Sequence, residues 1–266
     1  MLKVIILYSY TDIMAKPWLE NDFEVWSFDG KHPPGITREG NHVKVGMYFD
    51  AYDTNRHVKE IISIVGDGVC MVFGFPECTH LANSGSKHFA KKYAENPAFQ
   101  AEAVELARMV MYLGNELSVP WGLENPMGAL STIWRRYDFT FHPYEYGCYL
   151  PINDVHPLYP EVIPARDAYT KLTCIYYGNG FFQPIKKPVH RDLVNPIMKN
   201  NVVPHNSGET TRYSPQYNRL GGGSSRTKEI RSATPRGFSE AVYLAHCGYL
   251  RRRFGIRVSA EPISPL

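Results

Sequence analysis

Two short stretches carry side chains able to do chemistry together. In Phe73-Gly-Phe-Pro-Glu-Cys78, the cysteine follows an apolar run, Val69 to Phe75, that reads as a buried strand of a parallel sheet. Pro76 ends the run, because proline cannot donate to a central ladder. Thr79, Asn83, Ser84 and Gly85 come next and are small enough for a bound molecule to approach the backbone. Trp121-Gly-Leu-Glu-Asn-Pro-Met127 repeats the pattern, a short apolar strand ending in Glu124, Asn125 and a proline. A thiolate is a nucleophile, and a positioned carboxyl group supplies a proton or a strong hydrogen bond. The carboxyl ends of strands are also where open α/β sheets place their ligands.

Positioning those two strand ends takes most of the chain. Lys3 to Tyr8 reads as a first buried strand, and Thr11 or Asp12 is placed to cap a short helix to about Asn21. Phe23 to Ser27 alternates as a second strand that ends at Asp29-Gly30, and Val43 to Phe49 suits a third. Asn55 to Val65 suits a helix leading into the Cys78 strand. Asn96-Pro97 starts another, whose apolar residues Phe99, Ala103, Leu106, Ala107, Val110 and Leu113 keep helical spacing to about Gly114. That helix returns the chain to the Glu124 strand.

Ser131 to Tyr137 is a short helix or turn, and residues 138–170, rich in Pro, Tyr and His, form an ordered loop. Its aromatics either stack on a base or pack the loop onto the body. Lys171 to Tyr177 is a further strand. Periodicity is then lost, and Gly221 to Gly223 reads as a hinge. Thr234-Pro235 opens a final helix that carries Phe238, Ala241, Val242, Ala245 and Leu250 on one side. The expected architecture is a Rossmann-like α/β domain over residues 1–177, with helices on both faces of the sheet. A small loop-rich basic lobe over 178–225 follows, then a basic segment and helix over 226–266 that return to the first domain.

Composition is that of a soluble globular protein, with no run long enough to span a bilayer. The five cysteines are an odd number without a Cys-x-x-Cys pair. This argues against a disulfide framework or a structural zinc site and for a reducing, cytoplasmic setting. Net charge is +3, unevenly placed: residues 186–257 hold 14 Lys/Arg against 4 Asp/Glu. A basic C-terminal third suits a surface that meets phosphates, with Arg226, Arg231 and Arg236 as candidate phosphate contacts.

Pro76-Glu-Cys78 followed by Glu124-Asn-Pro126, with a helix between, resembles the nucleophile and acid motifs of the cytosine-C5 DNA methyltransferases, above all the short phage-type members. The likeness continues through Gly128-Ala-Leu-Ser131, Phe141-His-Pro-Tyr144, Lys171-Leu-Thr-Cys174, and Arg226-Thr-Lys228 through Arg236-Gly-Phe238. The resemblance implies a methyltransferase sheet, DNA as substrate, S-adenosylmethionine as cofactor and, for a phage-encoded chain, the host cytoplasm. It assigns Cys78 and Glu124 to catalysis and Pro76, Asn125, Arg166 and Lys171 to the substrate. It assigns Tyr8, Ser9, Asp29, Asp50 and Phe75 to the cofactor, Asp29 being the acid for the ribose hydroxyls. Where the family has a small-residue turn after the first strand, this chain has Ser9 to Ala15 with no glycine.

The implied chemistry is addition of the Cys78 thiolate to C6 of cytosine, which makes C5 nucleophilic, with Glu124 assisting at N3. A base inside a duplex must be flipped out to be reached. Three other readings use the same residues less fully. These are C5 modification of a free pyrimidine nucleotide or with a non-methyl donor, a non-catalytic nucleic-acid-binding relative, and a Cys–His hydrolase drawing on His80 or His88.

Overall fold

A computed structural model describes residues 1–195 and 224–255. Seven strands form one sheet: β1 (Lys3–Leu7), β2 (Glu24–Glu39), β3 (His42–Gly46), β4 (Val69–Gly74), β5 (Trp121–Pro126), β6 (Phe139–Phe141) and β7 (Thr173–Gly178). Their spatial order is β3-β2-β1-β4-β5-β7-β6. The first five run parallel, and β7 lies antiparallel between β5 and β6. This is the doubly wound order 3-2-1-4-5-6 with one reversed strand inserted.

Seven α-helices complete the described residues: α1 (Lys16–Leu19), α2 (Thr54–Val65), α3 (Phe89–Glu95), α4 (Phe99–Glu116), α5 (Leu130–Ile133), α6 (Ser225–Ser232) and α7 (Arg236–Arg253). Successive β1 side chains enter opposite layers, as the strand period of two requires. Ile5 and Leu7 join Val58 and Ile61 of α2 and Ala107 and Val110 of α4 in one core. Val4 and Ile6 join Trp18 of α1 and Phe238 and Val242 of α7 in the other. Helices therefore cover both faces of the sheet. None among the described residues is long and apolar enough to cross a membrane.

Three expectations need correction. Asp12 caps no helix with its side chain; it sits at φ 58 and pairs with Lys44, and α1 starts at Lys16. The second strand does not end at Asp29. It continues over the end of β3 and returns along that strand's far side, with Ile36 opposite Val45 and Glu39 opposite His42. Gly46 permits this crossing, since a Cβ there would overlap the Pro33 carbonyl oxygen. Residues 178–195 form no separate lobe: Phe181 packs on Phe73 and Tyr177, and Phe182 lies against His246. The rest of the expected lobe, with the Gly221–Gly223 hinge, lies outside the described residues.

The 138–170 segment, expected as a loop, contributes the edge strand β6 and packs onto the body. Phe141 stacks on Phe238 with ring centroids 4.3 Å apart, and Tyr146 meets both rings edge-on.

Candidate active site

β4 and β5 are neighbours, and their carboxyl ends project the two chemical groups into one place. Cys78 follows β4 by four residues and is half-buried. Glu124 lies inside β5, opposite Ile175, and its Oε1 is buried without a hydrogen-bond partner. The two loops lock together. Asn125, fully buried, donates through Nδ2 to the Pro76 carbonyl at 3.2 Å. Ala129 N donates to Leu81 O at 2.7 Å, and Asn83 N donates to Met127 O at 3.2 Å. Gly128 is needed at this crossing, because a Cβ would overlap the Leu81 carbonyl oxygen. The Cys78 carbonyl accepts from Leu81 N and Ala82 N, so the thiol stands at the head of a tight turn.

Electrostatics couple the same groups. Burial pushes the Cys78 thiol up, Glu124 and Glu77 push it further, and Lys171 opposes them. Burial also raises the Glu124 carboxyl, again against Lys171. A buried acid held toward its neutral form is suited to donate a hydrogen bond. Lys171 precedes β7, whose first residue, Thr173, pairs with Pro126. Its ammonium therefore lies beyond the end of β5, where it donates to the Arg231 carbonyl at 2.9 Å.

The other expected substrate residue, Arg166, has a different use. Its Nε donates to the Gly147 carbonyl at 3.2 Å, and Lys171 is the cation that acts on Cys78 and Glu124. Tyr169 has no motif to mark it in the sequence. It is buried beside this group, and Glu124 contributes to raising its phenol, after burial and Asp167.

The expected cofactor residues divide. Asp29 is half-buried at the point where β2 leaves the parallel ladder, and its Oδ1 accepts from Lys31 N at 2.8 Å. The Ser9 carbonyl accepts from His32 Nε2 at 2.9 Å, while Ser9 N donates to Phe28 O. Phe75 packs against Phe73, and its N–H donates to Leu7 O. Asp50 is occupied in capping the turn Ala51–Asp53, through Tyr52 N at 2.9 Å. The Tyr8 side chain turns away from the strand ends: its hydroxyl donates to Leu106 O on α4 at 2.7 Å, and its ring meets Phe49. The Tyr8 backbone is left-handed, at φ 58.

A cavity of about 310 Å³ lies beside the first-strand loop, lined by Tyr10, Thr11, His32, Lys44, Tyr159 and Glu229 among others. It faces α6 and the 158–159 segment, and none of its lining residues comes from 73–78.

The candidate DNA contacts also divide. Arg226 is exposed and pairs with Glu161 at 2.6 Å. Arg231 offers its carbonyl to Lys171. Arg236 is not available to a phosphate: it is almost buried and is held by Asp154 and Asp167, each at 2.7 Å. Further along the basic third, Arg251 donates to Asn21 O and Arg253 to Ser118 O. Those residues precede β2 and β5, at the end of the sheet away from Cys78.

No protein-family model matches the chain, and neither does any curated protein sequence. A solved structure of a deacetylase triple mutant involved in the teicoplanin biosynthetic pathway is similar at 9% identity and a TM-score of 0.33. The match covers 68% of this chain and 100% of that one. A likeness of this size carries no argument.

Proposed function

We propose that the protein transfers a methyl group to C5 of cytosine in DNA through a covalent adduct on Cys78. The observation that carries this reading is the convergence of Cys78, Glu124 and Lys171 at the ends of β4, β5 and β7, with Asn125 tying the two loops together. The Cys78 thiolate adds to C6 and moves electron density to C5. Glu124, kept toward its neutral form by burial, hydrogen-bonds N3 of the ring. C5 gains the methyl group as the donor's sulfur departs as a neutral thioether; the C5 proton then passes to solvent, the C5–C6 double bond re-forms, and the thiolate leaves.

S-adenosylmethionine, when bound, supplies an electrophilic methyl group. The strand ends fit it: Asp29 offers a half-buried carboxylate for the ribose hydroxyls, and the left-handed Tyr8 makes the sharp turn that a glycine would otherwise make.

A second reading, C5 chemistry on a free pyrimidine nucleotide, is favoured by one observation. Arg236, counted among the cations for DNA, is occupied inside the protein. Incubation with duplex DNA or with dCMP, with and without S-adenosylmethionine, followed by nucleoside mass spectrometry, separates the two. 5-Methylcytosine in DNA supports the first reading, and product only from dCMP supports the second.

A further inference from the structure

Two staples join the segment 154–171 to the segment 231–236. In one direction Arg236 fills its guanidinium with two carboxylates. Nη1 and Nη2 donate to Asp154 Oδ1 and Oδ2 at 2.7 Å each, and Nη2 and Nε donate to Asp167 Oδ1 at 2.7 and 3.1 Å. The Arg236 backbone N–H donates to Asp167 Oδ2. In the other direction Lys171 donates to the carbonyl of Arg231.

Between the staples lies a strained turn. Arg166 and Asp167 are consecutive left-handed residues at φ 57 and 47, a conformation that side chains with a Cβ avoid. Asp154 Oδ2 also accepts from Arg166 N at 2.7 Å, so one acid holds both the turn and its clamp. The charged groups on both sides of the turn are thus tied to one another. Its downstream residues are Tyr169 and Lys171. A lysine has four flexible methylenes, and the staples limit where this one can go.

We propose that Arg236 is a positioning residue: by clamping Asp154 and Asp167 it fixes the turn that leads into Lys171, and with it the place of the Lys171 ammonium beyond the end of β5, on the side of Cys78 and Glu124. The proposal deepens the reading of Cys78 and Glu124 as a reacting pair and rests on it. A guanidinium fork suits two carboxylates, where a single ammonium would serve only as a point charge.

The test needs neither DNA nor a methyl donor, so its failure is distinct from failure of methyl transfer. Iodoacetamide alkylation of Cys78 is followed against pH by peptide mass spectrometry in the full chain. Burial raises its midpoint most; Glu124 and Glu77 raise it further, and Lys171 lowers it. Lys171→Met removes the opposing cation, so the midpoint should rise by about one pH unit, the scale of a lost neighbouring charge. Arg236→Lys should raise it similarly, and the double variant no further. Thermal unfolding reports whether each variant is folded. If Arg236→Lys is not, Asp154→Asn, which leaves Asp167 in place, is read the same way. The proposal is overturned by an Arg236→Lys midpoint equal to that of the parent protein, or by shifts that add in the double variant. A Lys171→Met midpoint that does not move would overturn it too.

Discussion

At the scale of single residues, Glu124 acts on Cys78, and the sign of that action is testable. Glu124 raises the thiol, so Glu124→Gln should make Cys78 react faster with iodoacetamide at a fixed pH below its midpoint. The same change should cut turnover by roughly 10²–10⁴-fold, the usual size of a lost general acid. A variant that loses both reactivity and turnover would mean the site has collapsed instead. The pH profile carries the same logic. Thiolate forms as pH rises through the Cys78 value, so the rate climbs. Neutral Glu124 is lost as pH rises through its own raised value, so the rate falls on that limb. Glu124→Gln should remove the falling limb and keep the climbing one. DNA carrying 5-fluorocytosine should become attached to Cys78 in the presence of donor, since fluorine cannot leave C5 as a proton does. Cys78→Ser should abolish the adduct, whereas mutants of Cys70, Cys148, Cys174 and Cys247 should keep it. An adduct mapped to any of those four would end the mechanism.

At the scale of elements, the site depends on two loops that hold each other. Asn125→Ala removes the donor to Pro76 from a fully buried position and should cost roughly 1–3 kcal/mol. Gly128→Ala drives a Cβ into the Leu81 carbonyl and should cost a similar amount, as overpacking does. Both should also slow adduct formation at Cys78, because each displaces the loop that carries it. Thermal unfolding paired with the 5-fluorocytosine assay checks this, and unchanged adduct rates in destabilised variants would show the loops to be independent. These strands were legible in the sequence because they are buried on both faces and read as plain apolar runs: Lys3–Leu7, Val69–Gly74 and Thr173–Gly178. The direction of β7 was not legible, since apolar spacing is the same in either sense. The returning arm of β2 was hidden by Pro33-Pro34-Gly35, which reads as a turn and here crosses over Gly46. The tight turn after β1 was also missed, because two residues with side chains, Tyr8 and Asp12, take the left-handed conformation expected of glycine.

At the scale of the whole molecule, charge counted along the chain overstated the charge available on one face. Arg236 is consumed by acids 69 and 82 residues before it, a pairing no local pattern announces. Arg251 and Arg253 are tied to backbone at the far end of the sheet. Arg226 keeps its guanidinium exposed on α6, in a surface pair that a phosphate can readily displace. DNA affinity should therefore fall linearly with salt on logarithmic axes, with each neutralised phosphate adding about 0.9 to the slope. Arg226→Gln should weaken binding for every sequence and flatten the slope by about one contact. The triple change of Arg251, Arg252 and Arg253 to Gln should leave the slope unchanged. Arg236→Gln should lower the unfolding temperature first, because it leaves Asp167 buried without its partner. Fluorescence anisotropy with a labelled duplex between low and physiological salt measures the two slopes, and thermal unfolding measures Arg236→Gln. A slope that follows Arg251–Arg253 and ignores Arg226 would move the DNA to the other end of the sheet, away from Cys78. Binding with no salt dependence would instead favour a single nucleotide as the substrate.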